Sequence, residues 1–105
     1  KRLIAGGVKG TLLSTIPPSS AGAWPSMVTG CNPGKTNLLN FRVYDPLSRK
    51  IVLTDGRDLK RPALWDILGL YGKKSIVINE PMSYPPHKIK GVMISSFACF
   101  QAPTG

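Results

Sequence analysis

Short groups of apolar residues alternate with polar and turn-forming residues along the chain, and the spacing inside each group predicts its secondary structure. The clearest group spans residues 64–71, where apolar side chains recur every three or four positions between Pro62 and Gly72. This spacing places them along one face of an α-helix, with Pro62 in its first turn and Gly72 at its end. The region therefore predicts the best-defined helix of the chain.

Four further groups have the length and composition of β-strands. Residues 75–79 are a short apolar run with branched side chains, which predicts a buried strand, and residues 91–95 predict another. Residues 41–44 and 51–53 flank a turn sequence at 45–48. Two apolar segments separated by such a turn predict a β-hairpin.

The N-terminal third predicts shorter elements. Residues 1–4 indicate the last turn of a helix, and the glycine pair that follows them suits a left-handed stop. A strand is predicted at 11–15, ended by two prolines that cannot donate to a ladder. A short helix is predicted at 23–29, with Pro25 in its first turn and Gly30 ending it.

Helices that alternate with buried strands predict an α/β layer structure with a largely parallel sheet, helices packed on it and one β-hairpin. The chain has 105 residues, of which 42% are hydrophobic, and we expect residues 1–105 to form a single domain. No apolar stretch reaches the roughly 18 residues that cross a bilayer, and no leader sequence is recognisable, so we expect a cytoplasmic protein without a membrane partner. The first residue, Lys1, indicates truncation or processing upstream.

The charge of the chain favours anionic partners. Fourteen Lys and Arg residues stand against five Asp and Glu residues, which gives a formal net charge of +9. Nucleotides, nucleic acid and phosphorylated lipids are the partners that such a surface attracts. The basic residues are spread along the chain without interleaved aromatic residues, which is more typical of a solvated surface. A non-catalytic nucleic-acid-binding or interaction domain remains an alternative function.

Metal and disulfide motifs are missing from the sequence. Cys31 and Cys99 form no Cys-x-x-Cys pair, and His87 is the one histidine. We therefore predict two reduced, buried thiols and a surface histidine rather than a zinc ribbon or a disulfide framework.

Residues 30–36 end in the Gly-Lys-Thr of a phosphate-binding P-loop, but their spacing differs from that motif. Three residues separate Gly30 from Gly34, where a P-loop has four, and Pro33 lacks one of the amides that would cradle the phosphates. The segment predicts a Pro-Gly turn that leaves Lys35 exposed.

A second segment brings hydroxyl groups to the start of a helix. Ser19 and Ser20 precede the small residues at 21–23. Unpaired amides at a helix N-terminus can hold a phosphate while an adjacent hydroxyl attacks it. A serine in this place can also be a plain helix cap, and the residues by themselves leave both interpretations open.

The segment STIPPSSAGAWPSMVTGCNPGK, residues 14–35, resembles the nucleophile segment of the type I phosphodiesterase and nucleotide pyrophosphatase branch of the alkaline phosphatase superfamily. The resemblance continues through residues 64–68 and 77–86 and covers most of the chain. It implies a partial alkaline-phosphatase-like fold. The chain would be the nucleophile-bearing part of a larger phosphohydrolase catalytic domain, or a short degenerate relative.

The resemblance also implies a reaction and its residues. Counting back from Thr29 and Gly30 places the family nucleophile on Ser20, which would attack phosphorus and form a covalent phosphoseryl intermediate. We expect Ala21 and Lys35 to contact the phosphate of a phosphoester or nucleotide substrate. The sequence departs from the family at Gly22, where Pro is usual, at Ala23, where nucleotide pyrophosphatases have Asn, and at residues 36–37, where His-Gly is usual.

The family's cofactors are two divalent metal ions, usually zinc, held by Asp and His residues before and after this segment. None of the acidic residues or the histidine of this chain sits in a metal-ligand motif of the family; they are Asp45, Asp55, Asp58, Asp66, Glu80 and His87. We therefore predict no complete metal site and no activity for the chain alone.

Overall fold

The computed structural model describes residues 1–96, so the predictions for Cys99 and the C-terminal tail lie outside the described residues. This part of the chain forms four α-helices, four strands and one 3₁₀ turn. In chain order they are α1 (Arg2–Gly6), α2 (Ser20–Thr29), α3 (Pro33–Thr36), β1 (Arg42–Asp45), β2 (Lys50–Leu53), the 3₁₀ turn (Gly56–Asp58), α4 (Leu64–Leu70), β3 (Ser75–Glu80) and β4 (Gly91–Ser95). No helix within residues 1–96 has the length and apolar character needed to cross a bilayer.

The predicted parallel pair is confirmed. Strands β3 and β4 run parallel, with Ser75 opposite Gly91, and an irregularity in the register follows Ile78. Helix α4 packs against β3. The prediction of a buried strand holds on one face only, because Val77 is buried whereas Ile76 and Ile78, which point the other way, are 75% and 65% exposed.

The predicted hairpin is also confirmed. Strands β1 and β2 pair antiparallel, from Arg42 opposite Leu53 to Asp45 opposite Lys50. The Asp45 carboxylate accepts the amides of Leu47 and Ser48, each over 3.1 Å, and so closes the turn. Together with the parallel pair and its helix, the hairpin completes the predicted α/β architecture.

The N-terminal region differs from its prediction. Residues 11–15 form no strand, because no segment among residues 1–96 pairs with them, and Leu12 and Leu13 are exposed. Helix α1 does end near the glycine pair, but Gly7 has extended rather than left-handed backbone. The prediction of a strand leading into the serines was therefore wrong.

Helix α2 begins at Ser20, three residues earlier than predicted, so Pro25 lies inside the helix rather than in its first turn. The carbonyl of Pro25 accepts the Thr29 hydroxyl over 2.6 Å. Gly30 ends the helix in the left-handed conformation, with a φ of 66°, as predicted.

A small apolar cluster holds α2 in place. Ala21, Leu38 and Met82 are buried together, with Phe41 and Leu59 packed at the edge. These residues come from the first turn of α2, the chain after α3 and the loop after β3. The cluster therefore joins the start of α2 to the end of the parallel sheet where β3 finishes.

Candidate functional site

Ser20 is the first residue of α2 and is exposed. Ser19 is the N-cap, with extended backbone, but its hydroxyl makes no capping hydrogen bond. Ser19 therefore occupies the cap position, but its side chain accepts none of the first-turn amides.

The first-turn amides divide into two pairs. The carbonyl of Ser19 accepts the amides of Gly22 and Ala23 over 3.0 and 2.8 Å. The amides of Ser20 and Ala21 have no hydrogen-bond partner within the described part of the chain. Such amides carry partial positive charge at a helix N-terminus, where an anion is favoured. Of these two amides, that of Ser20 belongs to an exposed residue, whereas Ala21 is fully buried.

Ala21 is fully buried against Leu38 and Met82, so neither its methyl group nor its amide is exposed to solvent in this structure. One residue on, a Cβ at Gly22 would lie 3.1 Å from the Leu38 carbonyl oxygen and 3.4 Å from the Pro33 ring. The first turn of α2 is thus held closely against the segment that follows it.

Lys35 lies on α3, which packs against α2. The predicted Pro-Gly turn at residues 32–34 is in fact the start of this short helix: Asn32 caps it by accepting the Lys35 amide over 3.0 Å. The Lys35 side chain is exposed, and its ammonium has no hydrogen bond or ion pair within residues 1–96. Its contact with phosphate stays a prediction, as do the roles of Ser20 and Ala21.

The departure from the family at residues 36–37 has a structural explanation. Asn37 has a left-handed φ of 68°, a conformation that Gly adopts freely and Asn tolerates better than most residues. Thr36 is fully buried; its hydroxyl donates to the Pro33 carbonyl and accepts the Leu38 amide. Thr36 and Asn37 therefore serve the local fold.

A cavity of about 540 Å³ lies along α2. It is lined by Ala23, Trp24 and Met27, which stand three, four and seven residues after Ser20 and so share its side of the helix. Leu12 and Leu13 form the opposite wall. The cavity is an open apolar groove along α2 whose lining begins one turn after Ser20 and does not include Ser20 itself.

Residues 1–96 contain no group of three or more His, Cys, Asp and Glu side chains able to hold a metal ion. Two of the acidic side chains, Asp55 and Asp66, have other partners. Asp55 caps the 3₁₀ turn and pairs with Arg57, whose hydrogen bond keeps the pKa of Asp55 below its ordinary value. Asp66 pairs with His87. The residues present therefore do not fit the two-metal centre implied by the resemblance.

The Asp66–His87 pair escaped prediction. Its members are 21 positions apart, and the Nε2 atom of His87 lies 2.7 Å from the Oδ1 atom of Asp66. His87 is half exposed, as expected for a surface histidine. Cys31 is a free thiol, as predicted, but is only partly buried. No local sequence signal indicates the pair, because tertiary contact between α4 and the loop after β3 creates it.

Comparison with known proteins assigns the family. The family model described as type I phosphodiesterase / nucleotide pyrophosphatase matches residues 1–102. Searches of curated proteins and of solved structures gave no significant match. The match covers nearly the whole chain and includes the serine at the start of α2, so the chain belongs to the type I phosphodiesterase / nucleotide pyrophosphatase family.

Proposed function

We propose that this chain contributes the nucleophile and part of the phosphate-binding surface of a phosphodiesterase that acts on phosphoesters or nucleotides. The observation that carries the proposal is the position of Ser20: it is exposed at the first residue of a ten-residue helix, and its own amide has no partner in the described chain. Membership in the family supplies the reaction class.

In this proposal the Ser20 Oγ attacks phosphorus and loses its proton, while the ester oxygen on the far side leaves with its bonding electron pair. The resulting phosphoserine is then cleaved by water, which restores the hydroxyl and releases the phosphate product. The exposed Ser20 amide would hold a phosphate oxygen as charge develops on it. Lys35 would add a cation from the neighbouring helix.

The apolar cavity along α2 supports a role in substrate binding. It lies on the same side of the helix as Ser20, and Trp24 offers an aromatic surface on its wall. An aromatic or nucleoside group of the ester could occupy this space while its phosphate contacts the first turn. The cavity thus suits an ester with a bulky apolar part.

Activation of the serine is assigned to groups outside residues 1–96. A serine hydroxyl at its ordinary pKa is a weak nucleophile, and no base forms a hydrogen bond with Ser20 in the described chain. Family members generally use divalent metal ions, but the described residues form no centre for them. We therefore expect the chain alone to bind phosphodiesters without turning them over.

The first test is a titration of the full chain with dimethyl phosphate, followed by amide NMR. We expect saturable shifts at Ser20 and Ala21, and smaller ones when Lys35→Gln removes the nearby cation. Shifts spread evenly over the lysines and arginines would instead favour the nucleic-acid-binding alternative. That alternative also predicts strongly salt-dependent binding of a DNA oligonucleotide.

The second test addresses the nucleophile. An alkyl fluorophosphonate, which loses fluoride when a hydroxyl attacks it, is incubated with the chain, and the modified serine is located by mass spectrometry. Because no base activates Ser20 in the described chain, we expect slow labelling, in which Ser20 is modified faster than the other exposed serines since its helix N-terminus stabilises the phosphonyl oxygen. The label should be lost in Ser20→Ala and retained in Ser19→Ala. Preferential labelling of Ser19, or equal labelling of exposed serines, would reject the assignment of Ser20.

A further inference from the structure

A second cleft, separate from the residues assigned to the phosphodiesterase site, lies where the 3₁₀ turn meets the loop after β3. Its volume is about 280 Å³. Three basic side chains, Arg57, Arg61 and His87, line it, and Pro85 and Pro86 form an apolar wall. Gly56, Leu59 and the acidic residue Asp66 complete the lining. We call this space the basic cleft.

Close backbone packing builds the basic cleft. The Gly56 amide donates to the Tyr84 carbonyl over 2.7 Å. A Cβ at Gly56 would lie 2.8 Å from the carbonyl oxygens of both Met82 and Tyr84, so no larger residue fits without a shift. The two segments that carry the basic side chains are therefore held together by backbone contacts.

Arg57 is oriented by Asp55. Its Nε atom lies 3.1 Å from each carboxylate oxygen of Asp55, and its Nη2 atom donates to the Oδ2 atom as well. The Arg57 amide donates to the same carboxylate. Both carboxylate oxygens of Asp55 therefore accept hydrogen bonds from Arg57. The Nη1 group of Arg57 has no partner among residues 1–96. An arginine held in this way still presents N–H groups to a ligand.

His87 is oriented by Asp66 in a comparable manner. The Oδ1 atom of Asp66 contacts the Nε2 atom of His87 over 2.7 Å, and its Oδ2 atom accepts the Ala63 amide over 2.9 Å. Both carboxylate oxygens are therefore used, and the Nδ1 atom of His87 is left without a partner in the described chain. Arg61 has no hydrogen bond or ion pair there either.

We propose that the basic cleft is a binding site for a phosphate-type anion, either free phosphate or the phosphate group of a monoester. Three basic side chains face the same cleft, and the two neighbouring carboxylates are occupied by donors of the protein. Guanidinium groups match the geometry of phosphate oxygens. The volume is below the roughly 300–1,000 Å³ of typical small-molecule pockets, which favours a small anion over a whole nucleotide.

The test is an NMR titration of the full chain with inorganic phosphate at low ionic strength, observing the His87 ring and the Gly56 amide. Arg61→Gln removes a charge that lines the cleft. Lys60→Gln is the matched control, since Lys60 is exposed, adjacent in sequence and outside the cleft. We expect Arg61→Gln to weaken binding at least about fivefold and Lys60→Gln less than about twofold.

Equal losses in the two variants would overturn the proposal, because they would indicate attraction to diffuse surface charge. Shifts that do not saturate, or that avoid His87 and Gly56, would also overturn it. Ser20→Ala should leave phosphate binding at the basic cleft unchanged. A failure of the basic-cleft proposal is therefore distinguishable from a failure of the proposed phosphodiesterase role of Ser20. A parallel titration with methyl phosphate separates a site for phosphate monoesters from one that accepts only free phosphate.

Discussion

Gly91 faces Ser75 across the parallel pair so closely that a Cβ at Gly91 would lie 1.8 Å from the Ser75 carbonyl oxygen. The φ of Gly91 is 140°, a value that residues with a side chain rarely adopt. Both facts require glycine where β4 begins. The parallel pair, and with it the loop that carries His87, depends on this one close approach.

We expect Gly91→Ala to destabilise the chain by about 3 kcal/mol, because it combines a steric clash with backbone strain. Urea unfolding followed by tryptophan fluorescence measures the change. Gly6→Ala is the control, since a Cβ at Gly6 meets no atom within 4 Å, and it should alter stability little. Equal stability of the two variants would show that the β3–β4 pairing is not formed as described.

Asp55 makes stability depend on pH at the acid end. Its hydrogen bond with Arg57 lowers the pKa of the carboxyl group, and burial opposes this in part. A group whose pKa is lower in the folded state stabilises that state above its unfolded pKa, and this contribution is lost as the pH falls through the folded pKa.

Asp55→Asn tests this effect, since Asn retains an oxygen that can cap the 3₁₀ turn but removes the charge. We expect a loss of stability of about 1 kcal/mol or less at neutral pH, because the partner Arg57 is largely exposed. The stabilities of the variant and the natural chain should converge in acid, as the pH falls through the lowered pKa of Asp55. A stability difference between the two chains that is the same at every pH would contradict the role given to the charge of Asp55.

Ionisation of Glu80 changes the stability of the fold in the opposite direction to ionisation of Asp55. Burial raises the pKa of its carboxyl group, and its Oε1 atom is buried without a hydrogen-bond partner. A raised pKa in the folded state means that the stabilising contribution is present below the unfolded pKa and is lost as the pH rises through the folded pKa. The ionised form of Glu80 is therefore unfavourable in the folded chain.

We expect Glu80→Gln, which is neutral and close in shape, to raise the melting temperature near neutral pH. The gain should disappear in acid, where the Glu80 carboxyl group is protonated and is therefore as uncharged as the Gln amide. Thermal unfolding of both chains across the acid range gives the comparison. A gain that is independent of pH would assign the effect to packing rather than to ionisation.

The sequence correctly predicted those helices and strands whose hydrophobic pattern is matched by a packing or pairing partner in the fold. The three- and four-residue spacing before Gly72 indicated α4, although that helix begins at Leu64 rather than Pro62. The apolar runs indicated both strands of the parallel pair. In the N-terminal third, residues 11–15 have strand-like composition but no partner, and a β-strand requires a hydrogen-bonding neighbour.

For the candidate sites, too, some features followed from the sequence and others only from the tertiary structure. Sequence alone determined the family segment, the exclusion of a P-loop and the serine expected at a helix start, because these depend on residue order and local backbone geometry. Only the tertiary structure decided that the Ser19 hydroxyl does not cap α2, and that His87 meets Asp66 beside Arg57. Contacts between residues 21 or more positions apart follow from packing such as that of Gly56 against Tyr84, and no local pattern encodes them.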